Sequence, residues 1–148
     1  MIHTEFEFMN IMHFLTPKSK VAYLETDNSV RQGLEKLFNH GYTAIPVIER
    51  NGVYAGTVTE GDFLSCLIER DSQDIRKAER ISISDIIRPG WNPAVNISET
   101  IERLFLRMTE QNFVPVVDDR GVFVGIVTRK DVMRFFCDHY FKNEKTSD

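Results

Sequence analysis

A chain of 148 residues, 42% apolar and 27% charged, has the composition of one soluble globular domain large enough to bury a real core. Its formal net charge of −4, with acids and bases interspersed, argues against the broad basic surface that DNA or RNA binding needs, and its apolar runs fall short of the ~18 residues of a membrane span. Met1 to Leu15 is apolar but broken by Glu5, Glu7 and His13, with no basic leader or small-residue cleavage site, so a cytoplasmic location is expected, with neither nucleic acid nor membrane as partner.

In chain order, the apolar segment up to Leu15 reads as a first helix lying across the rest of the molecule. Lys20 to Leu24 is a short strand. Asp27 offers an N-cap oxygen to a helix with Val30, Leu34, Leu37 and Phe38 on its apolar face, and Gly41 ends that helix. Two β-rich runs follow, Ala44–Ile48 and Val53–Thr57, joined by an Asn51-Gly52 turn. A second helix runs from Asp62 to about Arg70. The charged segment Asp71–Arg80 reads as an exposed connector. The succession then returns: a cap at Ser98, a helix carrying Ile101, Leu104, Phe105 and Met108, a hairpin turning at Asp118–Gly121, and a helix from Asp131 to about Phe141.

The return is a repeat in the residues themselves. Ile45-Pro46-Val47-Ile48 comes back as Val114-Pro115-Val116-Val117, and the stretch from Gly52 to Asp62 as that from Gly121 to Asp131, both 69 residues on. Ile11, Leu15, Pro17 and Ala22 match Ile83, Ile87, Pro89 and Ala94, 72 residues on. The expected fold is therefore α/β: two β-α-β-β-α units that bury their half-exposed sheets against each other about a pseudo-twofold axis. The expected divisions are 1–71 for the first unit with its N-terminal helix, 72–82 for the connector, 83–142 for the second unit and 143–148 for a flexible tail.

The candidate chemistry lies where strands meet helices. Thr59-x-x-Asp62 and Thr128-x-x-Asp131 each place a hydroxyl and a carboxylate at a helix N-terminus, a place suited to phosphate and to a vicinal diol. As ordinary structure, the same pair is a capping motif. Pro46 and Pro115 open their strands without donating an N–H, leaving nearby backbone groups to read a purine edge. Tyr42 and Phe113 are aligned across the repeat as aromatic covers for a base. The halves differ in charge: Lys20, Arg129 and Lys130 in one set answer to Asn92, Glu60 and Gly61 in the other, so one cleft is basic and suited to phosphate. Cys66 and Cys137 sit in apolar helical patterns and read as reduced thiols. The histidines have no ligand-like spacing, and no nucleophile context, P-loop or dinucleotide fingerprint is present; neither an enzyme, a metal nor a resident cofactor is expected.

The doubled string of small–apolar–Pro–Val, glycine turn and Gly-x-Val-Thr-x-x-Asp resembles the CBS domain, a tandem pair of which forms a Bateman module. The resemblance runs from about Ile11 to Phe141. It implies a regulatory, non-catalytic pair with two clefts for adenosine-based ligands: AMP, ADP, ATP, S-adenosylmethionine or cyclic di-AMP. Lys20-Val21-Ala22, Gly41-Tyr42-Thr43-Ala44-Ile45-Pro46 and Thr128-Arg129-Lys130 are further similar to the ligand segments of stand-alone two-CBS proteins of Gram-positive bacteria that bind cyclic di-AMP. The chain departs from that group at Lys130, where a second arginine is usual, and in keeping Asp62 and Asp131. The expected ligand cleft holds Lys20, Ala22, Tyr42, Thr43, Ala44, Pro46, Thr128, Arg129, Lys130 and Asp131; the other holds Thr59, Asp62, Asn92, Ala94, Phe113, Val114 and Pro115. An adenine nucleotide is the expected regulatory ligand. A homodimer through Phe63, Leu64, Leu67, Ile68 and Val132, Phe135, Phe136, Tyr140, together with a regulated protein partner, completes the expectation. The alternatives are an interaction module with empty clefts and an S-adenosylmethionine sensor.

Overall fold

In a computed structural model, residues 9–69 and 75–145 are described. Strands β1 (Thr16–Pro17) and β2 (Leu24–Glu25) precede helix α1 (Val30–His40), strands β3 (Ala44–Ile48) and β4 (Tyr54–Thr59) and helix α2 (Glu60–Glu69). A short α3 (Ile75–Ala78) leads to β5 (Val95–Asn96), α4 (Ile101–Met108), β6 (Phe113–Val117), β7 (Phe123–Thr128) and α5 (Arg129–Lys145). Three 3-10 turns, Ile11–His13, Lys18–Lys20 and Ile83–Asp85, sit in the linking segments.

The two halves repeat each other in register. β2 pairs parallel to β3 and β3 antiparallel to β4; β5, β6 and β7 do the same. Ala44 faces Thr59 as Phe113 faces Thr128, and both hairpins shift register at the same place, Val47/Ile48 and Val116/Val117. The hairpin tips then hold each other. Tyr54 N–H donates to the Gly121 carbonyl at 3.0 Å, and Phe123 N–H to that of Gly52 at 2.9 Å. This is the pseudo-twofold pair that the repeat implies.

Each half also completes the other's core. Ile11 and Phe14, from the start of the chain, are buried with Val95, Leu104, Val114 and Val127 of the second unit. Ala78, Ile81 and Ile83, from the segment between the units, are buried with Leu24, Val30, Val58 and Phe63 of the first. Each large apolar side chain so buried contributes about 1.5–3 kcal/mol, so the exchange binds the halves together. It follows from the repeat: Ile11 and Ile83 are the same position, and each lies in the other unit's core. β1 follows this path and joins the second sheet, with Thr16 beside Ile126 and Pro17 beside Gly125.

Several local expectations are corrected. The segment before Leu15 is, over its described residues, a single 3-10 turn capped by Asn10 rather than a helix across the pair. Lys20–Leu24 is not a ladder strand. Its pairing starts only at Leu24, and the Lys36 ammonium donates to the Tyr23 carbonyl at 2.6 Å, holding this stretch off the sheet. The helix caps are Ser29 and Thr100, each accepting the N–H three residues on, while Asp27 pairs with Arg50 and Ser98 closes a turn on Asn96. Phe38 is 85% exposed rather than part of the buried face of α1. The connector is not wholly exposed, because Ala78 and Ile81 are core; residues 70–74 lie outside the described residues. Gly41 ends α1 at φ 66, and its N–H returns to the Leu37 and Phe38 carbonyls.

Candidate functional site

A cavity of about 340 Å³ opens between the halves. Lys20, Val21 and Ala22 form one wall, held off the ladder as described, and Tyr42, Thr43, Ala44 and Pro46 form the second. The other half supplies Asn112, Phe113, Ile126 and Thr128, and Thr16 on β1 closes the end. The start of one half thus faces the strand end of the other, as the charge differences between the repeats imply. The lining is mainly apolar, with polar groups from the exposed Lys20 ammonium, the Thr16, Thr43 and Thr128 hydroxyls, the Tyr42 phenol and the Asn112 amide. That is the usual make-up of a small-molecule site, and the volume falls in the usual range.

The helix starts keep their capping bonds. The Thr128 hydroxyl accepts from Asp131 N–H at 3.1 Å, and the Asp131 carboxylate accepts from the Thr16 hydroxyl at 3.4 Å. In the first half, Asp62 N–H donates to Thr59 Oγ1 at 3.2 Å and Thr59 N–H returns to Asp62 Oδ2 at 2.9 Å, a full capping box. Arg129, Lys130 and Asp131 do not line the cavity. The Arg129 guanidinium instead donates through Nε to the Met108 carbonyl at 2.9 Å, at the C-terminal end of α4, where a cation suits the exposed carbonyls. Asp131 reaches the site only through Thr16.

The second set is arranged differently. Phe113 lines the first cavity, and Val114 is fully buried in the second unit's core. Strand register shows why: Phe113 is the counterpart of Ala44, and Tyr42 is that of Gln111, so the two aromatics are not equivalent. Pro115 is buried beside Ile126, and Ala94 is half-buried. Asp62 forms an ion pair with Arg88 at 2.8 Å, and the Arg88 guanidinium lies 4.3 Å from the Trp91 ring centroid. Asn92, the counterpart of Lys20, is buried at φ 53. It is bonded to Thr57, Gln111 and Tyr54.

Sequence reasoning missed Thr16, Val21, Asn112 and Ile126 in the first cavity and Tyr54, Thr57 and Gln111 in the second cleft. A signal existed for Thr57 and Gln111: their counterparts, Ile126 and Tyr42, belong to a different chemical class.

Burial raises the Tyr54 phenol to about 12 against an ordinary 10, with the side-chain hydrogen bond from Thr57 opposing the shift in part. The folded state thus holds this proton more tightly than the unfolded chain does. The resulting stability is complete below pH 10 and is lost as the pH climbs from about 10 towards 12. The loss should be on the order of 2 kcal/mol. Melting curves across this range should fall less steeply for Tyr54→Phe than for the parent; parallel slopes would contradict the assignment.

A CBS domain family model matches residues 11–69 and again 81–138. The chain belongs to the CBS domain family. The cyclic di-AMP receptor B of Bacillus subtilis is 26% identical over 126 residues, with 85% of each chain covered. The crystal structure of CbpB in complex with cyclic di-AMP is similar to this CBS pair with a TM-score of 0.84 at 24% identity, covering 97% of each chain. CBSX2 in complex with AMP matches with a TM-score of 0.70 at 29% identity, covering 88% of this chain and 98% of the other. Among the described residues, no helix is long and apolar enough to cross a membrane.

Proposed function

We propose that this CBS pair is a regulatory sensor that reversibly binds an adenine nucleotide in the cavity between Lys20–Ala22, Tyr42–Pro46 and Thr128. The observation that carries the reading is the cavity itself: both units build it, its walls are apolar enough for a base, and Lys20 sets an ammonium on its wall. Lys20 would meet phosphate, and the backbone of Tyr42–Pro46 and Asn112–Phe113 would read the base edge. Relatives named for cyclic di-AMP and for AMP support the adenine assignment. The reading is of a sensor: the Thr128 hydroxyl on the cavity wall caps a helix, and the Asp131 carboxylate is held by Thr16. Calorimetry against AMP, ADP, ATP, cyclic di-AMP and S-adenosylmethionine, with GMP and cyclic di-GMP as controls, tests it. Binding of at least one adenine nucleotide, with the matching guanine form at least tenfold weaker, is expected. Equal affinities for the two bases would remove the adenine claim, S-adenosylmethionine alone would change the ligand class, and no binding at all would favour a pure interaction module.

The signal must leave through a surface, and a second copy of the chain is the proposed first recipient. Phe63 and Val132 of the expected stripes are buried within the subunit, but Leu64 is 59% exposed and Ile68 69%. An apolar groove of about 490 Å³ lies between α1 and α2, and Tyr42 lines both this groove and the cavity. Light scattering at micromolar concentration should give a dimer for the parent and a monomer for Leu64→Glu; a parent monomer with and without nucleotide would remove this proposal. A regulated protein partner on the same face is the proposed further recipient.

A further inference from the structure

The second cleft keeps Ala94, Pro115 and Thr59 where the first has Ala22, Pro46 and Thr128, but it differs at four other positions, and those four differences are complementary to one another. Where the first cavity is lined by Ile126, Lys20 and Tyr42, the second cleft has Thr57, Asn92 and Gln111, and the fully buried Phe123 has Tyr54 as its counterpart. Asn92 Nδ2 donates to Thr57 Oγ1 at 3.0 Å, and Gln111 Nε2 donates to Asn92 Oδ1 at 2.6 Å and to the Pro93 carbonyl at 3.2 Å. The Tyr54 hydroxyl donates to the Asn92 carbonyl at 2.8 Å. Its 2.7 Å contact with Thr57 Oγ1 must then be a bond that Thr57 donates. These donors and acceptors are mutually consistent, and three of the members, Thr57, Asn92 and Gln111, are at most 8% exposed. A ligand here would have to break a satisfied buried network, and groups left unpaired by it would each carry a desolvation penalty.

The network also crosses the molecule. Tyr54 and Thr57 stand on β4 of the first unit; Asn92, Pro93 and Gln111 belong to the second. Asn92 holds a left-handed backbone, the single non-glycine residue at positive φ among the described residues, which turns its carbonyl to Tyr54 and its side chain to Thr57 and Gln111 together. The stacked ring of Tyr54 on Phe123, centroids 6.2 Å apart, ties the network to the strand that also carries Ile126 and Thr128 of the first cavity.

We propose that the second cleft takes no nucleotide and serves as a clasp, fixing the two units at the spacing the first cavity needs. The proposal rests on the sensor reading for its ligand arm but has a ligand-independent arm of its own. Thr57→Val is isosteric and removes the hydroxyl shared by Asn92 and Tyr54; Thr57→Ser restores it. Without ligand, Thr57→Val should melt about 4 °C or more below the parent, with Thr57→Ser recovering most of the difference. With AMP and with cyclic di-AMP in a calorimeter, the parent should bind a nucleotide at a single site within each chain, and Thr57→Val should keep one site with several-fold weaker affinity. Two sites within each chain of the parent, a Thr57→Val that melts with the parent, or a Thr57→Ser no better than Thr57→Val, would each overturn the clasp. A parent that binds neither nucleotide removes the sensor reading, and the melting series alone then decides the clasp.

Discussion

Gly125→Ala is expected to lower stability by about 3 kcal/mol, or about 6–12 °C in melting temperature, the upper end for overpacking in a close-packed site. Gly125 lies where β1 crosses β7, and a Cβ there would run into the Thr16 carbonyl oxygen, with Leu15 Cδ1 at 2.9 Å and Pro17 Cα at 3.1 Å. Two of these atoms are backbone and cannot rotate aside. Relief requires β1 to leave the sheet, which would also pull Ile11 and Phe14 from the second core and Thr16 from the cavity. Gly56 is the same position in the first unit, yet a Cβ there meets only the Ile87 side chain. Gly56→Ala would bear nearly the same backbone strain, φ 153 against 158, but not the backbone clash, so it should cost less than Gly125→Ala, about 2 kcal/mol. Thermal melts of the two variants side by side test this. Equal losses would show that the backbone crossing at β1 does not limit packing.

The same crossing marks the boundary of what the residues disclosed. The repeat, the glycine turns and the conserved spacing of apolar positions determined the pair of units and their register, because these depend on local propensity and on a period that recurs. The exchange of Ile11 and Ile83 between cores is a long-range choice, and an apolar segment carries no mark of which neighbour will bury it. Tyr42 and Phe113 were aligned as aromatics because chemistry suggested it, whereas the pairing of Ala44 with Thr59 and of Phe113 with Thr128 sets them two residues out of step. The cavity was legible from Lys20, Ala22, Tyr42–Pro46 and Thr128 as a meeting of one half's start with the other's end. The filling of the second cleft was not: Thr57, Asn92 and Gln111 are polar residues of the kind usually found outside, and only packing shows that they satisfy one another. Arg129 is the reverse case, a cation that looked like a phosphate ligand until a helix end was found within its reach.

Lys20→Ala is expected to weaken phosphate-bearing adenine ligands about ten- to a hundredfold, and adenosine little. A charge-assisted contact to phosphate is worth about 1.5–3 kcal/mol when desolvated, and Lys20 is the cation on the cavity wall. Its side chain is exposed, so removing it leaves no buried partner stranded and the fold should hold. Arg129→Ala makes the contrast. Its guanidinium is bonded to the Met108 carbonyl, so the variant should lose about 1 kcal/mol of stability, with a smaller loss of nucleotide affinity than Lys20→Ala shows. Calorimetry with AMP and adenosine, alongside melts of both variants, separates the two roles. A Lys20→Ala protein that binds AMP as tightly as the parent would detach this lysine from the ligand.

The central claim is that an adenine nucleotide occupies the first cavity, and methyl-detected magnetic resonance of the parent titrated with AMP or cyclic di-AMP tests it most directly. Ala22, Ala44, Ile126 and Thr128 carry methyl groups on residues of the cavity wall, while Thr57, Thr59 and Ala94 report on the second cleft. The predicted result is saturable shifts concentrated in the first set, with the second set nearly still. Shifts centred on Thr57, Thr59 and Ala94, or none in either set at millimolar nucleotide, would contradict it.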